Sequence, residues 1–175
     1  MLLKYISGLL AIGFIDVVVA LANTPFHTSD RWILDSTNSR YKFRCVNWPG
    51  HLEVNIPEGL ASQTPESIAV WIKRNNFNCV RMTYSIEMAL DQNVPVKESF
   101  QKASGAAHDA GALMKVYDAA VTINPWIANS TRIGAFAKVI QALDAQEIAV
   151  VLDNHVSVRI ELGQELGWAF SMTKS

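Results

Sequence analysis

Residues 147–157 read EIAVVLDNHVS, and the fold follows from how this stretch is taken. Ile148 to Leu152 form an unbroken apolar run, too short for a helix that must earn its burial by periodicity and rich in β-branched residues, so it is expected to be a strand buried on both faces. Asp153, Asn154 and His155 follow at once. A buried strand that ends in polar side chains delivers them to one place.

Two earlier stretches have the same form. CVNW (45–48) closes one apolar run with Asn47 and Trp48, and CVRMTYS (79–85) carries Arg81 and Tyr84. Between them a helix is expected, with Thr64 as N-cap, Pro65 in the first turn, Glu66 at the positive end and Ile68, Trp71 and Ile72 at helical spacing. A further helix is expected from Thr131, with Ile133, Phe136, Val139, Ile140 and Leu143 on one face. Residues 86–126 are poorly patterned and predict only short helices and loops. RWILDSTNSRYKFRCV (31–46) predicts a β-hairpin around Asp35–Ser39. Strands without polar alternation that alternate with helices argue for a parallel sheet wrapped by helices. In such folds chemistry sits at the strand ends, so the three polar endings are expected to converge on one face.

The bulk composition restricts the function. The 175 residues suit one domain. Residues 1–22 combine Lys4, an apolar stretch and Ala20-Leu21-Ala22, the layout of a secretory signal peptide cleaved after Ala22, although Asp16 interrupts the apolar part. Secretion is therefore expected, with no membrane anchoring after cleavage; an uncleaved anchor is the alternative. Setting this segment aside removes one charge of each sign and leaves the net charge at −1. No field of either sign exists to recruit nucleic acid, and no nucleic-acid partner is expected. Cys45 and Cys79 lie in apolar runs, where small buried hydrophobes are the commoner fate; a bridge between neighbouring strands is the alternative. Asn129-Ser130-Thr131 is a glycosylation sequon.

Arg81 needs a carboxylate partner, because an isolated buried charge costs several kcal/mol; an ion pair joining two elements would satisfy it as well as a functional site would. Asp153 and His155 lie two apart and share a strand face. With no third ligand evident, a metal site is not expected, and no cofactor pattern is present.

KFRCVNWPGHLE (42–53), NFNCVRMTYS (76–85) and VVLDNHVS (150–157) together resemble glycoside hydrolase family 5, the cellulase-like hydrolases, in order and spacing over about 125 residues. The resemblance implies a partial (β/α)8 TIM barrel, its first three strands with their helices and an N-terminal hairpin. Residues 23–175 would be the N-terminal part of the catalytic domain, with 158–175 a divergent tail. It implies hydrolysis of a β-linked polysaccharide with retention, Arg81 as the arginine that holds the nucleophilic carboxylate, His155 as the histidine lining the sugar subsite and Asp153 as a supporting group. Asn47, Trp48, Tyr84 and Asn154 are expected sugar contacts.

Retention needs two carboxylates roughly 5 Å apart, which in the family are glutamates, one in an Asn-Glu-Pro motif. No Asn-Glu-Pro occurs among the 175 residues, and NIPE (55–58) has another order and place. Glu161 and Glu165 lie at i, i+4 spacing in a charged tail, where a solvated face is the simpler account. The chain as written is thus expected to lack catalysis. Its rivals are a non-catalytic secreted module that binds glycan or protein, and a gene-model fragment without a role of its own.

Overall fold

The computed structural model describes residues 24–106 and 110–157. The proposed signal peptide, the divergent tail, Glu161 and Glu165 lie outside the described residues.

Three strands form a parallel sheet in the order β3 (Cys45–Trp48), β4 (Cys79–Ser85) and β5 (Ala149–Val156). Cys45, Asn47 and Trp48 stand opposite Cys79, Arg81 and Met82, and Arg81 and Thr83 stand opposite Val151 and Asp153. Helix α1 (Pro65–Arg74) connects the first pair of strands, and the longer connection from β4 to β5 ends in α5 (Arg132–Asp144). Alternation along the strands divides the sheet. Val80, Met82, Val46 and Val150 face the helices and join Ile72, Phe136, Val139 and Leu143 in the core. Cys79, Arg81, Thr83, Asp153 and His155 belong to the other face.

The start of α1 follows the sequence: the Thr64 hydroxyl accepts the Ser67 N–H at 3.2 Å, and Pro65 and Glu66 occupy the first turn. The expected inward face differs in one place. Ala69 and Ile72 are buried, whereas Trp71 is 59 % exposed. It lies on the flank of α1 beside the open edge of β3, where it lines a groove with Val46, Asn47 and Ile68. In α5, Thr131 is the N-cap and Phe136, Val139 and Leu143 are buried, while Ile133 is exposed.

The stretch 86–126 is more ordered than its pattern predicts. It holds α2 (Ile86–Leu90), α3 (Val96–Ala106), α4 (Ala110–Ile123) and a 3₁₀ turn over Pro125–Asn129. The helices go unread because small residues such as Ala119 and Ala120 carry little periodic contrast. Asn129 is exposed at the end of that turn.

The N-terminal hairpin also differs. Its strands are β1 (His27–Ser29) and β2 (Trp32–Leu34), turning at Asp30 with φ 51°. The Asp35–Ser39 turn exists too, closed by an Asp35 carboxylate that accepts the N–H groups of Thr37 and Ser39, but beyond it the pairing is a single bridge, Leu34 to Arg40.

Cys45 and Cys79 are disulfide-bonded, not a pair of buried thiols. The register explains the correction: directly opposite residues on adjacent strands bring the two sulfurs together. Among the described residues no helix is long and apolar enough to cross a membrane.

Among the described residues no strand pairs with the far edge of β5. Ile140, Ile148, Val150 and Leu152 line an apolar groove of about 330 Å³ between it and α5, and Leu152 is 57 % exposed.

Candidate functional site

Three of the expected residues meet on one face of the sheet, where Arg81, the third residue of β4, reaches Asp153 and His155 in the C-terminal half of β5. Arg81 Nη2 donates to Asp153 Oδ2 at 2.7 Å. The same carboxylate oxygen lies 2.9 Å from His155 Nδ1, and Arg81 Nη2 is 3.2 Å from that nitrogen. All three side chains are partly exposed. Arg81 thus has its carboxylate partner, and Asp153 ties the arginine to the histidine. Both alternation and the parallel register are needed for this: Asp153 and His155 share a face two residues apart, and Asp153 stands two residue pairs above Arg81 in the ladder.

The other expected residues divide between the faces. Asn47 is exposed and stands opposite Arg81. Trp48 lies on the helix side, 5 % exposed, with its indole N–H donating to the Glu58 carbonyl at 2.9 Å. Tyr84 packs against the core, and Asn154, its register partner, is exposed on the same side of the ladder. Trp48 and Tyr84 are therefore not brought to Arg81, because odd and even positions of a strand face opposite ways.

The loop from Pro49 to Gln63 completes the site with residues that the sequence did not single out. The Thr83 hydroxyl oxygen accepts the Gly50 N–H at 3.2 Å and lies 2.7 Å from His51 Nδ1. The His51 ring is nearly buried, and its centroid is 4.6 Å from that of His155. Gly50 permits the approach: a Cβ there would stand 2.6 Å from Phe136 Cζ and 2.8 Å from the Thr83 carbonyl oxygen. The only trace in sequence is the Pro49-Gly50-His51 triplet just past a strand.

Side chains also pin the loop elsewhere. Ser85 Oγ–H donates to Asn55 Oδ1 at 2.8 Å and accepts the Met88 N–H at the start of α2. Asn124 donates to the Leu60 carbonyl at 2.7 Å. At the end of β5 the Ser157 carbonyl accepts the Glu87 N–H. Among the described residues no group of three or more His, Cys, Asp or Glu side chains could hold a metal ion.

Chemically, the cluster offers a guanidinium, a carboxylate and an imidazole within hydrogen-bond reach of one another, beside a second imidazole. Such a set can bind and orient hydroxyl-rich or anionic groups. By itself it supplies no pair of carboxylates for glycosidic cleavage.

No family model matches the chain. A glycosyl hydrolase 5 family protein from Chamaecyparis obtusa is 37 % identical to it over 143 residues, covering 76 % of this chain and 23 % of the relative. The chain therefore spans about a quarter of that relative's length. Among solved structures, an endocellulase from Pyrococcus horikoshii in complex with cellotetraose matches with a TM-score of 0.54 at 18 % identity, over 74 % of this chain and 30 % of the other. The catalytic domain of the major endoglucanase from Xanthomonas campestris pv. campestris matches with a TM-score of 0.54 at 17 % identity, over 80 % and 35 %. At such identities these two likenesses speak for the fold, that of TIM-barrel endocellulases. The sequence match is to a glycoside hydrolase family 5 protein, and over three quarters of its length the chain resembles that family.

Proposed function

We propose that residues 23–175 form the N-terminal part of a glycoside hydrolase catalytic domain, the first three strands of a (β/α)8 barrel, and that the face bearing Arg81, Asp153 and His155 contacts a β-linked polysaccharide. The observation that carries this is the meeting of those three side chains on one face of a parallel sheet, in the C-terminal half of β5, toward the end at which barrel enzymes hold their substrates. The cellotetraose bound by the Pyrococcus endocellulase supports a glucan as the ligand class. The open apolar groove along β5 suits a further strand and helix packed against it.

In this reading His155 lines the sugar subsite, with Asn47 as a further contact on the same face, whereas Asn154 shares the side of Tyr84 and points away from it. Arg81 carries positive charge to where a nucleophilic carboxylate would sit, and Asp153 holds that charge in place. The 175 residues include no Asn-Glu-Pro, so the polypeptide of this length binds glycan without cleaving it. Residues 1–22 direct secretion, and Asn129 then carries a glycan.

Calorimetric titration of the purified 175-residue chain with cello-oligosaccharides, run beside a reducing-sugar assay, tests the reading. Binding without sugar release is expected. Release at a sustained rate would overturn the inactivity, and no binding would overturn the assignment of the site.

A further inference from the structure

The two imidazoles of the site have different hydrogen-bond partners, and those partners dictate opposite tautomers. A neutral imidazole has one N–H and one lone pair, and the partner of one nitrogen decides the role of the other. His155 Nδ1 faces the Asp153 carboxylate at 2.9 Å and the Arg81 Nη2 at 3.2 Å. A carboxylate only accepts and a guanidinium only donates, so the two neighbours ask opposite things of that nitrogen. The shorter contact is also the one to an anionic acceptor, and a hydrogen bond to a carboxylate is the stronger kind. Nδ1 of His155 therefore carries the proton, and Nε2 is left as an acceptor.

His51 is the reverse. The Thr83 hydroxyl oxygen already accepts the Gly50 N–H at 3.2 Å, and its own hydrogen has the His51 Nδ1 at 2.7 Å. The buried threonine is satisfied when it donates to that nitrogen, which makes Nδ1 of His51 an acceptor and places the proton on Nε2. The rings lie tilted at 56° with centroids 4.6 Å apart, a separation at which tilted ring pairs attract. His51 is 8 % exposed and anchored to the sheet, whereas His155 is exposed. The anchored ring thus limits the motion of the exposed one.

We propose that His51 is a positioning residue: held by Thr83 as the Nε2–H tautomer, it fixes the plane of His155, which Asp153 holds as the Nδ1–H tautomer, so that His155 presents Nε2 as a preset acceptor for a sugar hydroxyl. The last step rests on the glycan-binding reading above; the tautomers and the ring contact do not. Presetting matters because an exposed side chain that must be immobilised on binding loses rotamer freedom at the expense of affinity.

The test joins a spectroscopic and a binding measurement on the full 175-residue chain. Long-range ¹H–¹⁵N correlation spectra, recorded at alkaline pH where imidazoles are neutral, distinguish the two tautomers of each ring. The wild type is expected to show His155 as Nδ1–H and His51 as Nε2–H, and Asp153→Ala is expected to release His155 from its tautomer. His51→Ala is expected to leave the His155 tautomer unchanged and to weaken cellotetraose binding about threefold to tenfold. His51→Phe keeps a ring against His155 and is expected to restore most of the affinity. His155 as Nε2–H, or both rings in one tautomer, would overturn the proposal. So would unchanged binding in a folded His51→Ala variant, or a His51→Phe variant that folds and binds no better than His51→Ala. If the wild type shows the expected tautomers and binds no cello-oligosaccharide, the glycan reading fails and with it the acceptor role, while the ring assignment stands on the spectra.

Discussion

Arg81 and Asp153 meet at 2.7 Å although 72 residues separate them in sequence. Both are partly exposed, so solvent screens the pair and it contributes about 1 kcal/mol to stability. Asp153→Asn and Arg81→Met are each expected to lower the unfolding free energy by about that amount, because without the guanidinium the Asp153 carboxylate still has solvent and His155 Nδ1. Urea unfolding of the two variants measures both, and equality with the wild type would show that the pair holds nothing together.

The disulfide closes a loop with a sequence separation of 34, which on chain-entropy grounds stabilises the fold by about 4 kcal/mol. Cys45→Ser with Cys79→Ser, or full reduction, is expected to lower the melting temperature by many degrees. A thermal melt with and without reductant reads this directly.

Gly50 has no room for a side chain. Its added Cβ would meet both a ring atom of Phe136 and the backbone oxygen of Thr83, and backbone yields less readily than a side chain. Gly50→Ala is expected to cost about 1–3 kcal/mol and to disturb the His51 contact with Thr83. Denaturant midpoints, with the His51 ring resonances as a second reading, check both effects.

Asp35 accepts the Thr37 hydroxyl at 2.7 Å and the N–H groups of Thr37 and Ser39. The Thr37 hydroxyl above all holds its carboxyl below the usual range. Because the folded pKa is depressed, the unfolded chain binds the proton more readily. The stabilisation is present above the unfolded value, near pH 4, and is lost as pH falls from there through the folded one. Asp35→Asn is expected to flatten this acid limb, and Thr37→Val to shift it upward, in unfolding curves recorded across the acid range.

How much of this was legible in sequence depended on local signals. Thr64-Pro65-Glu66 and Thr131 announced helix starts because capping is a local affair of three or four residues. The three strands showed because each is an apolar run that ends in polar residues. Asp153 and His155 could be paired by strand parity alone. The same parity, applied to Trp48 and Tyr84, turns them toward the core and away from the sugar contact that an aromatic at a strand end suggests. Helix α4 went unread because its apolar and small residues mask the turn period. The His51–Thr83 contact spans 32 residues and depends on how a loop folds back over the sheet, which no window of sequence contains.

The covalent tie between Cys45 and Cys79 sits one alternation below the Asn47–Arg81 pair on the same face. Slipping one strand by a single residue would turn every side chain on it to the opposite surface. With the sulfurs joined, that error is closed to β3 and β4, and the guanidinium keeps its aim however loosely the far edge of the sheet is held.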